Sequence, residues 1–209
     1  MIFRLDERLL FPDPALAEED GLLAIGGDLS PERLMLAYQS GIFPWYSDET
    51  PILWYSPHER FVLNPAKVII SKSMRQVMRS GRFRVTFNTA FADVIQACSL
   101  VPREGQDGTW ITNDMMAAYI DLHRLGKAHS VEVWHDDVLV GGLYGVGVGK
   151  VFCGESMFSK VSNASKTALI TLCQTGKYYL IDCQVYTEHL ESMGAGMISS
   201  DEYMAILQQ

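Results

Sequence analysis

Two polar triplets interrupt apolar, strand-like runs in the C-terminal half of the chain, and they hold the residues best suited to proton chemistry. Gly154-Glu155-Ser156 lies within the run 150–158, and Asp182-Cys183-Gln184 ends the next strand-like run. A carboxylate in such a run is costly to bury unless it is hydrogen-bonded or used in a reaction. Glu155 could instead bond backbone groups, and Asp182 could cap the turn at the strand end. Two such carboxyls facing one cleft favour the functional interpretation.

A second set of candidates is aromatic and follows a well-marked helix. Ser30 can cap this helix, Pro31 suits its first position, and Gly41 suits the left-handed residue after its end. Beyond it, Trp45-Tyr46-Ser47 and Trp54-Tyr55-Ser56 stand among prolines, and we expect a stiff loop because neither helical nor strand spacing buries every ring. Rigid rings on a loop can stack on a nucleobase. The alternative is a miniature core that pins this segment to its neighbour.

The charges are unevenly distributed along the chain. The net charge is −8, yet residues 60–92 contain no Asp or Glu. Seven positive residues lie there: Arg60, Lys67, Lys72, Arg75, Arg79, Arg82 and Arg84. A helix capped by Ser71 would place three of them, 72, 75 and 79, on one face, with apolar residues opposite. A basic stripe on an acidic protein is typical of a surface that binds a nucleic-acid backbone, although a merely solvated cationic face gives the same pattern.

Composition sets the broad class. With 209 residues, 48% of them hydrophobic and 20% charged, the chain suits one large domain, or a large and a small one. No apolar run reaches the ~20 residues of a membrane span, and the first residues do not resemble a signal peptide. The four cysteines form no CxxC pair and the five histidines have no ligand spacing. We therefore expect buried reduced thiols, no metal, and a cytoplasmic protein without a membrane partner.

The remaining patterns predict how the polar triplets are positioned. A strand at 82–87 precedes a helix that Asn88 would cap, and a loop at 99–109 leads through Trp110 to a second helix. Three strand-like runs at 129–134, 138–148 and 150–158 form an antiparallel meander, followed by a helix and a last strand at 178–183. That helix is long enough for a crossover, so the last strand should lie parallel to the third run. The expected fold is α+β, of the Gcn5-type N-acyltransferase kind, with a parallel strand pair that splays apart at its centre.

The chain resembles the leucyl/phenylalanyl-tRNA–protein transferases along nearly its whole length. The matching segments are 21–31 (GLLAIGGDLSP), 41–45 (GIFPW), 108–112 (GTWIT), 129–134 (HSVEVW), 152–159 (FCGESMFS), 163–169 (NASKTAL) and 180–185 (LIDCQV). The resemblance implies a small N-terminal domain at 1–62 and an acyltransferase-like catalytic domain at 63–209. It also implies transfer of Leu, Phe and, less readily, Met from aminoacyl-tRNA to proteins that begin with Arg or Lys. The product would be degraded through the bacterial N-degron pathway.

The resemblance also assigns roles to residues. Asp182 and Gln184 would be the catalytic pair. Six residues would bind the aminoacyl-adenosine end: Trp45, Trp110, Leu143, Phe152, Gly154 and Glu155. The stripe formed by Lys72, Arg75, Arg79, Arg82 and Arg84 would hold the acceptor stem. The expected partners are leucyl-, phenylalanyl- and methionyl-tRNA and the acceptor protein, and the enzyme would act as a monomer.

Ester aminolysis suits these residues. An aminoacyl ester is already activated, so we expect no cofactor, neither ATP nor a metal. Asp182 could receive the amine proton or orient the group that receives it, and Gln184 can both donate and accept hydrogen bonds. An acetyl-CoA N-acetyltransferase would need a glycine-rich phosphate loop, and none occurs at 157–164. A non-catalytic RNA-binding module would leave Glu155 and Asp182 unexplained.

Overall fold

Two sheets organise the molecule, which we describe from a computed structural model covering residues 2–101 and 110–209. The smaller sheet has the order β1-β2-β4-β3, and the larger has the order β11-β5-β10-β9-β8-β7-β6. The strands are β1 Phe3–Leu5, β2 Leu22–Gly26, β3 Phe43–Pro44, β4 Leu53–Tyr55, β5 Glu59–Leu63, β6 Arg84–Phe87, β7 Ala128–His135, β8 Val138–Val148, β9 Val151–Ser159, β10 Leu180–Gln184 and β11 Gly196–Ser199. The helices are α1 Pro31–Gln39, α2 Lys72–Arg79, α3 Phe91–Ser99, α4 Asn113–Arg124, α5 Ala164–Gln174, α6 Glu188–Glu191 and α7 Ser200–Leu207.

The predicted α+β architecture is confirmed. Strands β7, β8 and β9 form an antiparallel meander, helix α5 crosses over, and β10 returns parallel to β9. Helices α1, α3, α4 and α7 cover one face of the large sheet, while α2 and α5 cover the other, so each face has its own apolar core. Strand β5 joins the large sheet and lies between β10 and β11. The domain boundary at residue 62 stays a prediction.

The parallel pair diverges after only three residue pairs, and this opening forms the site. Strands β9 and β10 pair from Val151 with Leu180 to Cys153 with Asp182. Beyond that point β9 continues along β8, whereas the register of β10 against β5 shifts between Asp182 and Gln184. Strand β9 also bulges, since Gly145 faces Gly154 while the residue before it in β8 faces Ser156. Glu155 is therefore the extra residue of a bulge, a feature that re-aims a side chain.

The helix expected after residue 30 is confirmed in detail. The Ser30 hydroxyl accepts a hydrogen bond from the Arg33 amide at 3.4 Å, Pro31 occupies the first position, and Gly41 has a φ of 72°. The cap expected from Asn88 is wrong. Asn88 has a φ of 60°, and its side-chain oxygen accepts a hydrogen bond from the Ser130 amide at 3.0 Å instead of capping α3. Asn88 thus stabilises the turn after β6 by bonding to a neighbouring strand.

The spacing of the aromatic residues predicts a loop, but part of this segment forms strands. The cluster 45–47 follows the short strand β3, and Trp54 and Tyr55 of the second cluster belong to β4. The two strands pair Phe43 with Tyr55. Trp54 is fully buried, and its Nε1 donates to the Gly26 carbonyl at 2.8 Å. Trp45 remains partly exposed at the edge. The miniature-core interpretation therefore fits Trp54, and the platform interpretation stays open for Trp45.

Candidate active site

The predicted donor-binding and catalytic residues come together around one cavity of about 560 Å³ at the splay of β9 and β10. This volume is in the range of small-molecule sites. The residues that line it include all eight that the sequence singled out: Trp45, Trp110, Leu143, Phe152, Gly154, Glu155, Asp182 and Gln184. They come from five separate segments, which only the fold brings together.

Glu155 is the ionisable centre of the cavity. Its side chain is 7% exposed and accepts three hydrogen bonds: from the Tyr38 hydroxyl at 2.7 Å, the Tyr119 hydroxyl at 3.2 Å and the Gln184 Nε2 at 2.8 Å. Burial raises the pKa of Glu155 from 4.5 to about 7, although the three hydrogen bonds partly oppose this rise and Asp182 adds to it. A carboxyl group with a pKa near neutrality can gain or lose a proton at working pH.

Asp182 is buried and fully engaged. Its Oδ2 forms a salt bridge with the Arg60 guanidinium, and its Oδ1 accepts the Gln184 backbone N–H at 3.0 Å. Both oxygens of this carboxylate therefore bind protein groups. Arg60 itself is 3% exposed, so this one of the seven positive residues is buried and does not add to the basic surface. Burial would lower the pKa of Arg60, but the neighbouring Asp182 outweighs burial and the pKa is raised.

Gln184 connects the two carboxylates. Its φ is 59°, an uncommon left-handed value for a residue with a side chain. The bond from its amide to Asp182 holds this turn, and its side-chain amide then reaches Glu155 at 2.8 Å. The result is a continuous path from Arg60 through Asp182 and Gln184 to Glu155.

Two indoles, those of Trp45 and Trp110, line the cavity. Trp45 follows β3 and packs against Tyr55 with ring centroids 5.8 Å apart. Trp110 precedes α4, which Thr112 caps by accepting the Met115 amide at 3.1 Å. Gly108 and Thr109 of the same matching segment, and most of the loop predicted at 99–109, lie outside the described residues. Indoles that line a cavity can bind a flat ring by stacking.

The rest of the cavity is mainly apolar. Leu143 of β8 and Phe152 of β9 form its sheet wall, while Leu169 and Leu172 of α5 and Ile181 of β10 complete it. Gly145 permits this close packing, because an added Cβ would lie 2.2 Å from the Cys153 carbonyl oxygen. Such a lining suits an apolar side chain such as that of Leu or Phe.

The predicted basic stripe lies outside this cavity. Its five members are all exposed: Lys72, Arg75, Arg79, Arg82 and Arg84. Met74 on the opposite face of α2 is buried in the core, as the periodicity predicted. Arg84 also pairs with the exposed Asp137 at 3.0 Å and lies over the Trp134 ring. The fold thus places positive charge in α2 and in or beside β6.

Sequence reasoning missed three residues that hold the site. Tyr38 and Tyr119 contact each other and both donate to Glu155, yet in sequence they are ordinary members of apolar helix faces. Arg60 is one of the seven positive residues in the region 60–92, and it is buried. The sequence signal that could have identified it is its position directly before the apolar run Phe61–Leu63, where a buried charge implies a partner.

Within residues 2–101 and 110–209, no group of three or more His, Cys, Asp or Glu side chains is placed to hold a metal ion. None of the helices in the described part of the chain combines the length and the apolar character needed to cross a bilayer. The four cysteines are free, and Cys183, which was expected to be buried, is partly exposed and lines the cavity.

Comparisons with known proteins identify relatives along nearly the whole chain. A model of the leucyl/phenylalanyl-tRNA protein transferase family matches residues 62–208, and a model of the N-terminal domain of that transferase matches residues 27–58. A transferase of this name from Flavobacterium johnsoniae is 56% identical over 99% of both chains. One from Syntrophobacter fumaroxidans is 57% identical over all of this chain and 90% of its own length.

Similarity to solved structures is weaker. A GCN5-related N-acetyltransferase from Kribbella flavida has a TM-score of 0.37 and 9% identity, over 77% of this chain and 58% of its own. By itself this likeness supports no conclusion. The sequence matches do, because they span the cavity and the basic stripe: the chain belongs to the leucyl/phenylalanyl-tRNA–protein transferase family, whose members transfer aminoacyl groups from tRNA to protein.

Proposed function

We propose that this enzyme transfers Leu, Phe and, less efficiently, Met from aminoacyl-tRNA to the α-amine of proteins that begin with Arg or Lys, which marks them for the N-degron pathway. The observation that supports this most directly is the convergence of two indoles, an apolar pocket and a buried carboxylate on one cavity. An aminoacyl-adenosine end has three parts that match these features: a flat base for the indoles, an apolar side chain for the pocket, and polar groups between them for the carboxylate. The enzyme would act as a monomer and without a cofactor.

The donor end would bind with its adenine at Trp45 and Trp110 and its side chain between Leu143 and Phe152. An apolar pocket discriminates weakly between similar side chains, because one methylene is worth only about 1–3 kcal/mol. This fits a donor range that includes Leu, Phe and Met. Glu155 would then lie beside the ribose and the donor's amino group, where it can accept hydrogen bonds.

The reaction is aminolysis of an ester. The acceptor's neutral α-amine attacks the carbonyl carbon and a C–N bond forms. The bond from carbon to the tRNA 3′-oxygen breaks, and the proton that the amine nitrogen loses ends on that oxygen. Gln184 donates its amide N–H to Glu155, which leaves its side-chain oxygen to accept a hydrogen bond from the amine. Asp182 orients Gln184, since both oxygens of its carboxylate are already engaged.

The acceptor stem of the tRNA would be held by the basic residues Lys72, Arg75, Arg79, Arg82 and Arg84. Their exposure leaves them accessible to phosphates, and exposed cations contribute to affinity by releasing counterions from the nucleic acid. Contacts of this kind fix orientation but carry no base sequence information. Recognition of the donor would then depend mainly on the amino acid and on the 3′-terminal adenosine.

The test is single-turnover transfer of radiolabelled Leu from leucyl-tRNA to a peptide that begins with Arg, with the product sequenced by mass spectrometry. The matched acceptor is the same peptide beginning with Ala. Labelled Leu at the N-terminus of the Arg peptide, and little on the Ala peptide, would support the proposal. Binding of leucyl-tRNA without transfer to either peptide would instead favour the RNA-binding alternative.

A further inference from the structure

Arg60 connects the catalytic strand end to two other parts of the molecule. It lies on β5, next to β10 in the large sheet. One guanidinium nitrogen, Nη1, donates to the Gly41 carbonyl at 2.6 Å, and the other, Nη2, forms the salt bridge with Asp182. The guanidinium also packs between two rings, with its carbon 5.2 Å from the centroid of Phe43 and 4.3 Å from that of Tyr203. It is therefore held on several sides by separate segments of the chain.

We propose that Arg60 is a positioning residue for the transfer reaction, acting through Asp182 to hold Gln184 in its reactive geometry. This inference rests on the proposed function. The Gly41 carbonyl and the two rings fix the guanidinium, and the guanidinium fixes the Asp182 carboxylate. Asp182 then accepts the Gln184 backbone N–H, which stabilises the left-handed turn that aims the Gln184 amide at Glu155.

Chemistry explains why arginine is needed at this position. Its planar guanidinium presents donors in a fixed fork, so it can bond a carbonyl and a carboxylate at the same time while stacking on rings. A lysine would keep the positive charge but would have only one nitrogen for both partners. Removing the charge altogether would leave Asp182 buried without its partner, which is strongly destabilising.

The principal test is Arg60→Lys, compared with wild type and with Arg33→Lys. Arg33 is a suitable control because it too is buried, donates to a backbone carbonyl at 2.8 Å and pairs with a carboxylate. The difference lies in that carboxylate: Asp182, the partner of Arg60, lines the cavity, whereas Asp28, the partner of Arg33, does not. For each folded variant, single-turnover Leu transfer to the Arg-initiated peptide is measured, together with affinity for an aminonucleoside that mimics the aminoacylated 3′ end. Thermal denaturation reports stability.

We expect Arg60→Lys to lower the transfer rate about 10- to 100-fold, the scale of a misplacement of roughly 1 Å, while aminonucleoside affinity changes less than about twofold. Arg33→Lys should lose stability but keep its transfer rate below its melting temperature. A wild-type rate for folded Arg60→Lys would overturn the inference, and so would an equal fall in Arg33→Lys. If wild type itself transfers no Leu, the proposed function fails instead.

A second comparison does not require Arg60→Lys to fold. Asp182→Asn is compared with the double variant Arg60→Gln/Asp182→Asn, in which both members of the pair are neutral. If Arg60 acts only through Asp182, then replacing Arg60 should not slow transfer further in a protein that already carries Asp182→Asn. The transfer rates of the single and the double variant should therefore agree within about threefold. A further tenfold loss in the double variant would show an effect independent of Asp182 and would overturn the proposed route.

Discussion

Replacing Glu155 with Gln should change how the stability of the protein depends on pH. In the folded protein, burial raises the pKa of Glu155 from 4.5 to about 7. At about 1.4 kcal/mol for each pKa unit, ionising this carboxyl costs about 3 kcal/mol more in the folded than in the unfolded state. Its folded pKa is the higher one, so the folded state binds the proton more tightly. Wild type therefore loses this stability as pH rises from about 4.5 to 7.

The variant Glu155→Gln lacks the ionisable group and should not show this loss. Urea denaturation of both proteins at several pH values between about 5 and 8 gives the free energy of unfolding of each. The difference between variant and wild type should move by about 2 to 3 kcal/mol in favour of the variant over this range. Any hydrogen bonds from Tyr38 and Tyr119 that the variant loses lower its free energy of unfolding equally at every pH. They therefore do not change how the difference between variant and wild type depends on pH.

Glu132→Gln is the matched control, because Glu132 is another buried carboxyl group in the large sheet. Burial would raise the pKa of Glu132, but hydrogen bonds from Ser130, Thr86 and Thr89 outweigh burial and lower it. Its contribution to stability is therefore complete above about pH 5 and is lost only in more acid solution. The difference between Glu132→Gln and wild type should be flat from pH 5 to 8. A flat difference for Glu155→Gln as well would refute the assigned ionisation of Glu155.

Three further variants test the remaining roles. Trp110→Ala should raise the apparent KM for leucyl-tRNA far more than that for the acceptor peptide, and unchanged donor binding in equilibrium titrations would contradict the stacking role. The double variant Arg75→Ala/Arg79→Ala should reduce the slope of log Kd against log salt by about two, equally for different tRNA sequences; an unaltered slope would mean a solvated face only. Asp182→Asn should lower single-turnover transfer by ~10²-fold or more with aminonucleoside affinity within about 1 kcal/mol, and a wild-type rate would remove Asp182 from the reaction.

Much of the secondary structure follows from local patterns. The cap at Ser30, the proline after it and the glycine at 41 were sufficient to define α1, because these residues act through their own backbone. The meander and the parallel return of β10 followed from strand lengths and from the length of the crossover helix. Asn88 shows the limit of this reasoning: its side chain can cap a helix, but in the fold it bonds instead to Ser130, 42 residues away in sequence.

What the sequence by itself determined about this protein is its family, the order of the strands and helices from the meander to β10, and eight of the residues that line the cavity, because motifs and periodicity are properties of the chain. Only the tertiary structure decided which carboxylate has a cationic partner. Asp182 and Glu155 look equivalent in sequence, each a single acid in an apolar strand. The fold pairs Asp182 with Arg60, 122 positions away, and surrounds Glu155 with neutral hydrogen-bond donors. Ionisation depends on burial and on neighbouring charge, and both are set by contacts between distant segments.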